Sequence, residues 1–176
     1  WAGSAEGGLW NTVDGGNSWQ PMTDYLPAVG VSAVAVNPKN PNEILIGTGE
    51  GKATVLSFKP GIGVLKSFDK GQTWQETNLK YNQLNAVSAY QMVWNPENTN
   101  IVYLGATNGL WISNDGGMNW SQKFAARTTS VILNKQSPNI AYVAVQNSGI
   151  YKSTDDGQNW TRLFGGLPLA STQGLT

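Results

Sequence analysis

Cysteine and histidine are both absent from the 176 residues of this chain. Their absence removes disulfides, zinc sites built on Cys or His, and any serine or cysteine nucleophile that depends on a histidine base. It leaves the compartment open, because exported chains also do without cysteine. Charge is scarce as well: Lys and Arg number 11 against 11 Asp and Glu, and no two basic residues adjoin. A surface that grips phosphate backbones clusters its cations, so the chain is expected to bind no nucleic acid. No apolar run approaches the roughly 20 residues of a membrane span, and none is expected in this segment. The opening WAGSAEGGLW lacks the basic-then-apolar layout of a signal peptide, so the signal of an exported protein is expected to lie outside this sequence. Helical periodicity is equally hard to find.

What the chain has in quantity is glycine (21), proline (8) and tryptophan (8). With many Asn, Ser and Thr, this composition describes short strands joined by tight turns. VSAVAVNP (31–38), EILIGTG (43–49) and IVYLGAT (101–107) are β-branched segments bounded by Pro, Asn or Gly, as strands are.

One short string recurs: NTVDGGNSW (11–19), SFDKGQTW (67–74), SNDGGMNW (113–120) and STDDGQNW (153–160). Its aspartates, Asp14, Asp69, Asp115 and Asp155, stand 55, 46 and 40 residues apart, a period that signals an array of small units. The repeat extends beyond the string. A glycine-opened strand precedes each copy (GLWNT, GVLKS, GLWIS, GIYKS), and a second strand precedes that one (WAGSAEG, ILIGTGEG, VYLGATNG, AYVAVQNSG). Earlier still comes a turn written NPKNPNE, NPENTNI or NKQSPNI, itself preceded by an apolar strand. Each unit therefore reads as four strands, with the string joining strands three and four.

Such a hairpin needs a residue at positive φ and short polar side chains that bond the turn's own N–H groups. Ser67 and Asp69 suit the bonding and Gly71 the left-handed position, while Trp74 is expected to fold over the hairpin and bury against the neighbouring unit. Thr12, Asp14, Gly16 and Trp19, then Ser113, Asp115, Gly117 and Trp120, then Ser153, Asp155, Gly157 and Trp160 repeat the set. A single four-stranded unit cannot bury both faces. Stacking units face to face solves this, which is the logic of a propeller or a solenoid.

The string S/T-x-D-x-G-x-T/S-W resembles the Asp box, or bacterial neuraminidase (BNR) repeat. The flanking pattern is similar to the Asp-box β-propellers, among them sortilins, xyloglucan hydrolases, photosystem II assembly factors and many exported bacterial proteins. Asn119 and Asn159 depart from the usual Thr or Ser but keep a polar group. The resemblance implies an all-β fold, a fragment of a propeller of four-stranded antiparallel blades with the boxes between strands three and four. The expected division is a half blade at 1–22, blades at 23–79, 80–125 and 126–165, and the start of another at 166–176. Propellers close with about 4 to 8 blades, so the rest of the same polypeptide is expected to complete the ring.

In this family the boxes lie away from the usual ligand face, and their aspartates are expected to be structural. Ligands meet the loops between strands two and three and between strand four and the next strand one. One such loop, 50–63, is about ten residues longer than its siblings and carries Glu50, Lys52, Phe58 and Lys59; an insertion confined to one repeat often marks the binding face. The plainer alternative is a hairpin extension packed on a neighbour. In the xyloglucan hydrolases a catalytic aspartate follows the first box in a Thr-Asp-aromatic stretch, and here that stretch is Thr23-Asp24-Tyr25. Asp24 is thus a catalytic candidate and Tyr25 a binding one, with a turn-capping aspartate as the plainer alternative.

Three functions remain. The first is a non-catalytic scaffold of an exported or cell-surface bacterial protein, holding a protein or polysaccharide partner. The second is one propeller of a xyloglucanase-like glycoside hydrolase, and the third an assembly factor docking a membrane complex. The sequence leans against catalysis, and no cofactor or metal is expected.

Overall fold

The structure, a computed structural model, describes residues 1–26, 30–50, 61–81 and 87–164. The insertion residues Lys52, Phe58 and Lys59 and the expected blade start at 166–176 lie outside the described residues. Within them every regular element is a strand. The first sheet holds β1 (Ala2–Ser4), β2 (Gly8–Asn11) and β3 (Gln20–Pro21). The second holds β4 (Val31–Val36), β5 (Ile44–Thr48), β6 (Gly63–Ser67) and β7 (Gln75–Lys80). β8 (Ala89–Trp94), β9 (Val102–Ala106), β10 (Gly109–Ser113) and β11 (Trp120–Phe124) form the third. β12 (Thr128–Leu133), β13 (Ala141–Val145), β14 (Gly149–Ser153) and β15 (Thr161–Arg162) form the fourth. All pairs are antiparallel, and the strands of each sheet lie in chain order.

Burial follows position in the sheet. The innermost strand β4 alternates buried and half-buried residues, because one face of a strand addresses each side of a sheet. The middle strands β5, β6 and β9 are buried along their whole length, since sheets cover them from both sides. The outermost β7 exposes four of its six residues.

Hydrophobic side chains collect between the sheets. Leu9, Val31, Ile46 and Leu65 fill the seam of sheets one and two. Leu45, Val64, Met92, Trp94, Leu104 and Trp120 fill the next, and Tyr103, Leu110, Ile112, Val131 and Val143 the last. Each such side chain contributes about 1.5–3 kcal/mol by leaving water, and none could do so in an isolated sheet. Glycine in the second strand brings neighbouring sheets close: a Cβ at Gly47 would stand 2.4 Å from the Ala89 Cβ, and one at Gly105 2.7 Å from the Thr128 carbonyl oxygen. The inner strands are tied side to side. Ser32 Oγ donates to the Ala89 carbonyl at 2.8 Å, and Gln91 Oε1 accepts from Val131 N at 2.9 Å.

The base of the long insertion is pinched shut. Buried Thr48 accepts through Oγ1 from Ile62 N and Gly63 N, both at 2.9 Å, and donates to the Gly63 carbonyl at 2.6 Å. β5 and β6 therefore pair as their siblings do.

Candidate functional site

The four boxes share one wiring. In the second, Ser67 Oγ accepts from Gly71 N at 2.7 Å and donates to Asp69 Oδ1 at 2.8 Å. Asp69 in turn accepts from Thr73 N at 2.9 Å and Thr73 Oγ1 at 2.5 Å. Thr12, Asp14 and Ser18 repeat this arrangement, as do Ser113, Asp115 and Asn119 and then Ser153, Asp155 and Asn159. Asn119 and Asn159 serve through Nδ2 at 2.6 and 2.7 Å, so each of these side-chain amides is occupied within its own box.

These donors hold the carboxylates ionised. The Thr73 side-chain and backbone bonds, with Ser67, bring Asp69 down to about 2, and the Asn159 backbone and side-chain bonds do the same for Asp155. Asp14 lies below the ordinary carboxylate range for the same reason, through Ser18 and Thr12. At Asp115 burial pushes upward, but the bonds from Asn119, Ser113 and Met118 outweigh it and the net shift is downward. A carboxylate so engaged is neither a free base nor a metal ligand, and the described residues contain no group of three or more His, Cys, Asp or Glu able to hold a metal.

The hairpin takes two successive left-handed residues, not one. Lys70 (φ 58°) precedes Gly71 (φ 77°), and Asp156 (φ 57°) precedes Gly157 (φ 79°). The first of the pair aims its N–H at the turn joining strands one and two of its own sheet: Lys70 N reaches the Asn42 carbonyl at 2.9 Å, Gly116 N that of Asn100 at 2.8 Å, and Asp156 N that of Asn139 at 3.0 Å.

The glycine in the second place of the pair seats on the preceding sheet. A Cβ at Gly71 would lie 3.2 Å from the Trp1 ring, one at Gly117 2.5 Å from Leu45 Cδ1, and one at Gly157 2.5 Å from Ile112 Cδ1 and 2.8 Å from the Tyr103 ring. Trp74 bonds to the preceding sheet as well, its ring N–H donating to the Met22 carbonyl at 3.2 Å. Trp19, Trp120 and Trp160 instead close on their own box glycine carbonyls at 3.1, 2.8 and 3.0 Å. Trp120 is buried while Trp19 is 42% exposed.

One seam carries charge. Lys66, in β6, is 3% exposed and sends Nζ across to the Gly116 carbonyl of the next box at 2.9 Å, with Glu43 Oε2 of its own sheet also at 2.9 Å. Burial pushes Glu43 upward, but Lys66 and Asn40 bond it and the net shift is downward. Trp94 borders this seam; it is buried and its ring N–H is bound to the Thr99 carbonyl, so it offers no platform to a ligand.

On the loop face, a cavity of about 420 Å³ is lined by Glu6, Gly7, Trp10, Thr23 and Asp24. Leu26 N donates to the Thr23 carbonyl at 2.9 Å, closing a turn with Asp24 and Tyr25 at its corners. Buried Thr23 anchors that turn, accepting from Leu9 N through Oγ1 at 2.9 Å. Asp24 is exposed at the cavity, and Trp10 is held there by its ring N–H on the Gly7 carbonyl at 2.7 Å. Tyr25 goes elsewhere: its hydroxyl donates to the Gln72 carbonyl in the second box at 2.9 Å, and burial followed by the Asp69 charge raises its pKa. Glu50 is half-buried at the mouth of the insertion, with Oε2 sealed from solvent. Glu6 and Trp10 were the partners that sequence reasoning missed. The available signal was the AEGG turn before β2, a loop between strands two and three.

A second cavity of about 460 Å³ lies along the inner strands, lined by Val36, Gln91, Val93, Ile132 and Lys135 among others. Its walls are mainly apolar and carry no carboxylate.

The sequence model of the BNR/Asp-box repeat matches residues 111–122. A xyloglucanase of a Paenibacillus species is 33% identical over 124 residues, covering 64% of this chain and 12% of that protein. One from Hypocrea jecorina is 30% identical over 149 residues, covering 77% and 17%. The chain thus spans less than a fifth of these relatives. Among solved structures, a family 74 xyloglucanase from Xanthomonas campestris superposes with a TM-score of 0.72 at 22% identity, over 94% of this chain and 28% of that one. The matched repeat, the four wired hairpins and the stacked antiparallel sheets agree: the chain is a run of Asp-box, or BNR-repeat, β-propeller blades.

Proposed function

We propose that this chain is part of a propeller of an exported glycoside hydrolase that cleaves a β-glucan such as xyloglucan, with Asp24 as one of its two catalytic carboxyls. The observation that carries this reading is the loop-face cavity, where Asp24 stands exposed beside Trp10 and Glu6 on a turn anchored by buried Thr23. An aromatic ring beside a carboxylate suits a sugar, whose ring carbons pack on the aromatic face while its hydroxyls bond the acid. The identity with xyloglucanases over most of the chain supports the same reading.

Hydrolysis with inversion needs two carboxyls about 6.5–9.5 Å apart with water between them. Asp24 would serve as one, and the remainder of the polypeptide would supply the other. The half blade at 1–22 and the blades at 23–79, 80–125 and 126–165 then act as a rigid holder of the loop face. A polysaccharide substrate does not cross a membrane, which supports a location outside the cell or on its surface.

The test uses the whole protein on xyloglucan. Asp24→Asn is expected to lower kcat by about a hundredfold or more, the range of a lost acid or base, with KM little changed. An unchanged kcat removes Asp24 from the chemistry. Binding of the glucan without turnover by the unaltered protein would instead establish the non-catalytic scaffold.

A further inference from the structure

The second and third sheets present the same seat to the incoming box. It is a side-chain pair in register on strands two and three: Leu45 opposite Lys66 in the second sheet and Tyr103 opposite Ile112 in the third. The next box glycine lands on it, Gly117 on Leu45 and Gly157 on Ile112 and Tyr103. In the fourth sheet the corresponding pair is Tyr142 opposite Lys152, both half-buried, with the Lys152 ammonium 5.8 Å from the Tyr142 ring centre. That seat is built like the others, and among the described residues no box occupies it.

Its charge is handled differently. Lys66 is buried beside Glu43 of its own blade. At the position of Glu43 the fourth sheet has Ile140, and no acidic side chain of the described residues pairs with Lys152. A buried ammonium without a carboxylate is strongly disfavoured, so whatever covers this seat must bring the acid. The second strand differs too: Ala144 stands where Gly47 and Gly105 admit the next inner strand, so the incoming inner strand must leave room for a methyl group.

Propeller blades pack face to face around a ring, so a further Asp-box blade of the same polypeptide belongs on the open face of the fourth sheet; we propose that Lys152 crosses that seam to a carboxylate on the incoming blade. Continuity with the three seams already formed selects this occupant, and the lone ammonium specifies its charge. The inference rests on the propeller fold and is independent of Asp24 and of catalysis.

The test is lysine-by-lysine acylation of the intact, unaltered protein, read by mass spectrometry. Lys66, its side chain 4% exposed, is the internal protected standard, and Lys80, at 64%, the open one. Lys152 is expected to react about tenfold or more slowly than Lys80, as buried amines do, and independently of protein concentration. A zero-length carbodiimide is expected to link Lys152 to an Asp or Glu outside residues 1–176. Reaction at the Lys80 rate overturns the proposal, and protection that fades on dilution overturns it in favour of a second copy. Protection without any carboxylate link overturns the assignment of Lys152.

Discussion

The second and third blades meet at a buried lysine paired with a half-buried glutamate of its own blade, whereas the third and fourth meet across isoleucines. Lys66 and Glu43 in the one seam stand where Ile112 and Ile101 stand in the other, yet both receive a box glycine in the same seat. The seam is therefore set by the backbone, through the left-handed hairpin and the close approach it allows, and the seat tolerates different chemistries provided each is complete. An ammonium needs its carboxylate and carbonyl; an isoleucine needs only volume.

Several substitutions would break or sharpen this contrast, each read by denaturant unfolding. Glu43→Ala leaves Lys66 buried without its counter-charge and should cost about 3–5 kcal/mol. Ile112→Ala opens a void under Gly157 and should cost about 2–4 kcal/mol, with no dependence on salt. If the two losses were reversed in size, packing and not charge would govern the polar seam. Ser113→Ala removes the hydroxyl that accepts from Gly117 N and should cost about 1–2 kcal/mol. The double change Lys66→Ile with Glu43→Ile converts one seam into the other and should leave stability within about 1 kcal/mol of the original. Failure of the pair to recover what Glu43→Ala loses would show that the seats are not interchangeable.

Acid provides a test of the boxes themselves. Asp69 and Asp155 titrate near 2 in the folded chain against 3.8 for an unengaged aspartate. The unfolded chain thus binds protons at higher pH than the folded one, so the stability these groups contribute is present above about pH 4 and lost as pH falls toward 2. Unfolding free energy measured between pH 5 and 2 should decline across that window, and Asp69→Asn should flatten the decline.

Much of the fold was legible because its signals are local. The bonds wiring Ser67, Asp69 and Thr73 span no more than four residues, so each box is written in one short string, and the strands alternate with turns of recognisable chemistry. Contacts between blades were not written so plainly. Lys66 meets Gly116 fifty residues away, and Tyr25 leaves its neighbour Asp24 to bond the second box. A trace did exist, since the change from Ile–Ile to Lys–Glu occurs at matched positions of two repeats and reads as a compensated exchange. The additional left-handed residue was hidden in two boxes because Lys70 and Asp156 occupy a conformation that their residue type does not advertise.

Thr48 has a wider consequence. By knotting Gly63 and Ile62 to the end of β5, it insulates the blade from changes in the length of the intervening sequence. Evolution, or an engineer, can rewrite the residues between Glu50 and Gly61 while the architecture below goes on folding as before.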